Sequence, residues 1–316
     1  MRPELEKVCR ETEKVIAGKR AATEKILLAI LAGGHILLDD VPGVGKTTLA
    51  VSLCRSMGLN CHRIQFTPDV LPSDITGFSV YQRESGGFQY QPGVLNGTNL
   101  LLGDEINRAS SKTQSALLEA MEERQVTVDG VTYPMETPFT VIATENSVGT
   151  AGTQPLPYAQ MDRFLIRISL GYPDHEAQMR MLKERQGENP LETVEEVIRK
   201  EELLKMQEET RNVTARDAIL DYIIRLSEAS RTHPAVEIGI SPRGSLFLDR
   251  AAKARAWTEG RDYVTGPDVA AVFRDVCAHR LILKKESGET AERVLDELLK
   301  TVETPDHHGM KGLLKQ

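Results

Sequence analysis

Residues 35–50, HILLDDVPGVGKTTLA, constrain this chain more than any other stretch. The run His35-Ile36-Leu37-Leu38 has the length and apolar character of a buried strand, a glycine-bearing turn follows, and Lys46–Ser56 offers a helix directly behind it. Strand, turn and helix in that order are the context a phosphate-binding loop needs. Gly43 and Gly45 let the backbone approach a ligand closely, with Val44 between them, and the amino end of the helix opened by Lys46, Thr47 and Thr48 adds partial positive charge. Lys46 is expected to reach the β- and γ-phosphates, and the Thr47 hydroxyl to ligate Mg²⁺. The pattern G-x-x-x-x-G-K-[ST] wants glycine first, and this chain has Asp40 there.

A phosphate loop alone says only that a nucleotide binds. The second signal is Asn99-Leu100-Leu101-Leu102-Gly103-Asp104-Glu105, an apolar strand that ends in two acids. Such a strand delivers carboxylates to the carboxyl edge of a sheet, where the phosphate loop also lies. Asp104 is expected to hold Mg²⁺ beside Thr47, and Glu105 to orient and polarise the attacking water. A third strand, residues 140–145, runs into Asn146, which can hydrogen-bond that water or the γ-phosphate.

Strand candidates at Ile36–Asp39, 63–66, 99–102, 139–144 and 164–170 alternate with helical segments, which argues for a parallel α/β sheet. Residues 3–32 read as helix, split at Ala17-Gly18-Lys19. Residues 67–97, rich in Pro and Gly, read as an inserted structured loop or hairpin. A helix at 111–124 precedes residues 126–133, where Asp129-Gly130 between β-branched residues signals a hairpin. After Tyr172-Pro173 the composition turns to long charged helices with no further convincing strand. The expected domains are therefore 1–173, an α/β nucleotide-binding core; 174–285, a smaller all-α lid; and 286–316, a short helix with a mobile tail. Ser241-Pro242 reads as N-cap and first-turn proline, which puts Arg243 in the first turn of a lid helix.

Composition narrows the function classes. A chain of 316 residues buries a sizeable core, and a net charge of -7 with pI near 5.6 argues against a general nucleic-acid-binding surface. Cys9, Cys54, Cys61 and Cys277 have neither C-x-x-C nor metal-ligand spacing, which suits reduced thiols in a cytoplasmic protein. The longest apolar run, residues 26–38, is broken by Gly33-Gly34-His35 and falls short of a membrane span, and the amino terminus lacks a signal-peptide core.

With these pieces in place the chain resembles the AAA+ ATPases, and among them the MoxR family, over almost its whole length. The resemblance rests on VPGVGKT (41–47), RIQFTPDVLPSDITG (63–77), DEINRASSKTQSALLEAMEERQVTVDG (104–130) and PLPYAQMDRF (155–164). It implies a Walker A loop at Gly43 to Thr48, a Walker B pair at Asp104 and Glu105, sensor 1 at Asn146, an arginine finger at Arg163 and sensor 2 at Arg243. It makes residues 67–97 a helix-2 insert and 126–133 a pre-sensor hairpin, and it implies ATP with Mg²⁺ and a five-stranded core sheet. Around sensor 1 the family's usual Gln-Asn-Pro is replaced by Glu145-Asn146-Ser147. The resemblance further implies a homo-oligomeric ring, hexameric, that hydrolyses ATP to remodel or mature a client, in this family often a von Willebrand factor A domain protein or a metal-cofactor enzyme. In that ring Arg163 would serve a neighbour's site and Arg243 the γ-phosphate of its own subunit, while Arg108 could face the adjacent subunit. A chelatase-like motor subunit and a nucleotide-gated binding scaffold remain alternatives; a nucleic-acid motor is disfavoured by the acidic balance.

Overall fold

The computed structural model describes residues 1–41, 43–84, 86–145, 156–184 and 190–305. Asn146 and the C-terminal end, residues 306–316, lie outside the described residues. Helices α1 (Pro3–Glu13) and α2 (Arg20–Leu31) precede β1 (Ile36–Asp39) and α3 (Lys46–Ser56). Next come β2 (Cys61–Gln65), the short α4 (Pro72–Thr76) and an antiparallel hairpin of β3 (Phe78–Gln82) and β4 (Gly87–Gln91). β5 (Leu100–Asp104) and α5 (Ser111–Glu123) lead to a second hairpin, β6 (Gln125–Val128) and β7 (Val131–Pro134). Its turn has Asp129 and Gly130 both at positive φ, as the Asp-Gly pair requires. β8 (Thr140–Glu145), α6 (Tyr158–Met161) and β9 (Ile166–Ile168) complete the α/β part.

The five strands β2-β5-β8-β1-β9 form one parallel sheet in that order. The apolar runs of β1, β5 and β8 are explained by burial on both faces, whereas the edge strand β2 is largely exposed. Ile36 and Leu38 of β1, Leu100 and Leu102 of β5 and Ile142 of β8 enter one hydrophobic cluster; Leu37, Leu101, Val141 and Ala143 enter the other. The first cluster continues through Leu27 of α2 and Leu53 of α3, while the second is closed by Leu117, Leu118 and Met121 of α5.

The rest of the chain is helical: α7 (His175–Glu184), α8 (Lys200–Arg211), α9 (Asp217–Thr232), then β10 (Val236–Ile238), α10 (Pro242–Thr258), α11 (Gly266–Cys277), β11 (Ile282–Leu283) and α12 (Ala291–Thr301). The expectation of no strand beyond residue 173 is corrected by β10 and β11, which pair antiparallel. Segments of two and three residues are too short to display an alternation. Helix α12 buries Val294, Leu295 and Leu298 in the same cluster as α9, α10 and α11.

One buried joint fixes the helical part against the sheet. Arg280, fully buried, donates from Nε to Asp162 Oδ1 (2.8 Å) and from Nη2 to the Phe164 carbonyl (2.6 Å). Asp162 Oδ2 accepts from the hydroxyl of Ser241 (2.8 Å), whose Oγ also caps α10 by accepting from Gly244 N (3.0 Å). Asp162 thereby places Arg163 and Arg243 on the two sides of a rigid contact.

Candidate active site

β1 lies inside the sheet, between β8 and β9, and the turn behind it rises at the carboxyl edge, where parallel α/β sheets bind ligands. Gly43 and Gly45 have φ of 84° and 94°, conformations that side chains strain to adopt, and Gly45 is the N-cap of α3. No side chain caps that helix end, which leaves its first amides directed at the cavity in front of it. The cavity has a volume of about 360 Å³ and is lined by Gly43, Val44, Gly45, Lys46, Thr47 and Thr48 together with Asp104 and Glu105. The two motifs read from the sequence thus share one space.

Lys46 is buried and donates from Nζ to the carbonyls of Asp40 (2.9 Å) and Glu145 (3.4 Å). Burial pulls its pKa below the usual lysine value, and the charges of Asp40 and Asp104 oppose that shift. Asp104 accepts from Arg63 Nε at 2.7 Å and from the Thr144 hydroxyl at 3.5 Å. Glu105 sits in the left-handed region, φ 56°, ψ 50°, which for a residue with a side chain costs on the order of 1–3 kcal/mol. Its amide is held by Thr144 Oγ1 at 2.9 Å, and its carboxylate accepts from Arg108 Nη1 at 2.9 Å. Arg108, left open between this site and a neighbour's, lies on its own subunit's Glu105.

Thr47 and Asp104 offer an alcohol and a carboxylate to the same cavity, hard oxygen donors that suit Mg²⁺. Among the described residues no group of three or more His, Cys, Asp or Glu side chains gathers to hold a metal.

Asp40 occupies the first Walker A position for a visible reason. Its carboxylate accepts from the Ser169 hydroxyl (2.8 Å), from the amide of Gly171 (3.0 Å) and from the amide of Leu170. Lys19, also buried, donates to the carbonyls of the same segment, Leu170 (2.7 Å) and Gly171 (2.8 Å). The loop's entry and the passage from sheet to helices are thus knotted together.

Arg163 and Arg243 stand elsewhere. They line a second cavity, about 470 Å³, whose wall includes Gly33, Gly34 and His35. Those residues precede β1, whereas the phosphate loop follows it, and four strand residues span roughly 13 Å. The structure places Arg243 apart from its own subunit's loop: neither arginine lines the loop cavity, and both pair with Glu122. Sequence reasoning missed Arg63, Lys19 and Glu122. Arg63 and Gln65 share one face of β2 by strand periodicity, the single local signal that could have drawn attention to them.

Residues 35–166 match the ATPase family associated with various cellular activities (AAA), and residues 228–298 match the AAA lid domain. The chain is 39% identical over 313 residues to the protein named Chaperone MoxR1 of Mycobacterium tuberculosis, covering 95% of this chain and 82% of that one. It belongs to the MoxR family of AAA+ ATPases. A further relative, the uncharacterised protein YeaC of Bacillus subtilis, is 46% identical over 308 residues, 96% of each chain. The crystal structure of a Cytophaga hutchinsonii protein assigned as an ATPase superposes with a TM-score of 0.88 at 37% identity, covering 96% of this chain and 95% of that one. The parallel five-stranded sheet followed by a helical lid is thus the AAA+ architecture of a MoxR-type chain. Among the described residues no helix is long and apolar enough to cross a membrane.

Proposed function

We propose that this MoxR-type protein is a Mg²⁺-dependent ATPase that works as a homo-oligomeric ring, hexameric, and couples hydrolysis to remodelling or maturation of a client protein. Residues 1–173 act as the nucleotide-binding core, 174–285 as the lid and 286–316 as a terminal helix and tail. Gly43 to Thr48 cradle the phosphates, Lys46 neutralises their charge, Thr47 and Asp104 hold Mg²⁺, and Glu105 orients the attacking water with Asn146. The bound cation neutralises charge that develops on the transferred phosphoryl group. Cytoplasmic clients of the family's kind, a von Willebrand factor A domain protein or a metal-cofactor enzyme, are the partners we favour.

The observation that carries the ring is the position of Arg163 and Arg243. The cavity with loop, lysine and acids is lined by Arg63 but by neither Arg163 nor Arg243, and those two stand at the other end of β1. Arginines so placed have a use in this chemistry if a second subunit brings its triphosphate to them. In GTPases an arginine supplied from outside is worth about 10³–10⁵ in rate. Steady-state ATPase rate per subunit should therefore rise with protein concentration, and Arg163→Ala should lower the assembled rate by about 10³. Glu105→Gln should keep ATP and lose turnover by about 10²–10⁴. A rate independent of concentration and indifferent to Arg163→Ala sinks the ring.

A second reading, a nucleotide-gated scaffold, draws on the pairs Arg63–Asp104 and Arg108–Glu105, which engage both Walker B carboxylates. On that reading Glu105→Gln turns over no more slowly than the parent.

A further inference from the structure

We propose that Glu122 is a positioning residue that aligns Arg163 and Arg243 as a pair, so that one carboxylate aims two cations at the triphosphate of the adjoining subunit. The proposal rests on the ring reading given above. Glu122 lies in the last turn of α5, and its two oxygens are divided between the two arginines. Oε2 accepts from Nε of Arg163 at 3.0 Å, and Oε1 accepts from Nη2 of Arg243. One guanidinium comes from the core and the other from the first turn of the lid helix α10. All three side chains are 30–38% exposed, at the mouth of the second cavity rather than in its depth.

The surrounding charges explain why a carboxylate is needed there. Arg124, Arg163, Arg243 and Arg250 line the cavity with Glu122 and Asp249, an excess of two positive charges. Asp249 is turned to Lys253 at 3.0 Å, and Arg124 is spent on the carbonyls of Gly33 (2.7 Å) and Phe139. Glu122 is the acid left to hold Arg163 and Arg243 side by side against their mutual repulsion. The backbones beneath them are already fixed, because Asp162 grips both Ser241 and Arg280. What remains to be ordered is the long, rotamer-rich part of each arginine, and a shared carboxylate orders both at once. When the neighbour's phosphates arrive, guanidinium donors can exchange a carboxylate for a phosphate, since both anions accept charge-assisted N–H bonds from arginine.

The test is subunit mixing. Glu122→Ala should fold, bind a fluorescent ATP analogue at its own site with unchanged affinity, and lose kcat on the order of tenfold to a hundredfold with little change in KM. Glu122→Gln, isosteric and still an acceptor through one oxygen, should fall between the two and replaces Ala if Ala fails to fold. Mixed with Glu105→Gln, whose arginines are aligned, Glu122→Ala should regain turnover, as should Arg163→Ala in a parallel mixture. Regain with Arg163→Ala but not with Glu122→Ala overturns the role of Glu122 and leaves the ring reading standing. Regain in neither mixture removes the ring reading itself. Parental kcat in Glu122→Ala, or weakened binding at its own site, also overturns the proposal.

Discussion

His35, the residue before β1, commits both ring nitrogens to the backbone: Nδ1 accepts from the Val141 amide at 3.0 Å, and Nε2 donates to the Met121 carbonyl at 3.1 Å. A second ring proton would collide with the Val141 N–H, and burial together with the charge of Arg124 pushes the pKa down to about 3. An unfolded histidine titrates near 6.5, so between those values the unfolded chain binds more protons and stability rises with pH. The contribution is complete above about pH 6.5 and is lost on acidification, by roughly 2 kcal/mol at pH 5. Denaturant titrations at pH 7.5 and 5.0 should show that difference shrinking in His35→Gln, and equal pH dependence of the two proteins would refute the assignment. His279, also buried and well below its ordinary value, shares the sign and keeps the residual slope from vanishing. At this scale the loop residues and the acids were legible because their meaning is local: Lys46 follows Gly45, and Glu105 follows Asp104. Glu122 was not, because the arginines that define it come 41 and 121 residues later.

Among the elements, the insert between β2 and β5 depends on one close backbone approach. Asp74 and Ile75 carbonyls accept from Val94 (2.9 Å) and Leu95 (3.2 Å), drawing the two ends of the hairpin together across Gly93. A Cβ on Gly93 would lie 2.4 Å from both Gly77 N and the Ile75 carbonyl oxygen, neither of which can move aside alone. Gly93→Ala should cost about 1–3 kcal/mol. Because the strain falls at the base of β3 and β4, hydrogen exchange of residues 78–91 should accelerate while ATP-analogue affinity stays put. Unaltered exchange there would show that the base tolerates the methyl group. The insert was legible from its glycines and prolines, and the second hairpin from Asp129-Gly130. β10 and β11 were not, since their pairing joins residues 236–238 to 282–283 across two helices.

In the molecule as a whole, fold class was readable from the recurrence of strand and helix, whereas the position of the arginines relative to the loop was not. That position follows from which end of β1 the lid helix reaches, a fact of packing carried by Asp162, Arg280 and Ser241. The knot at Asp40 has a related consequence. Asp40→Gly would bring the loop to the common spelling G-x-x-x-x-G-K-[ST], yet it would remove the carboxylate that accepts from three donors on residues 169–171, leaving the Gly171 amide on Ser169 Oγ and the segment tied to the core chiefly by Lys19. We expect the corrected spelling to lose roughly 3 kcal/mol of stability in denaturant titration. A more stable Asp40→Gly protein would contradict this. The most orthodox version of the motif should thus be the poorer machine, because in this chain the first letter of the nucleotide signature is also the latch of the hinge.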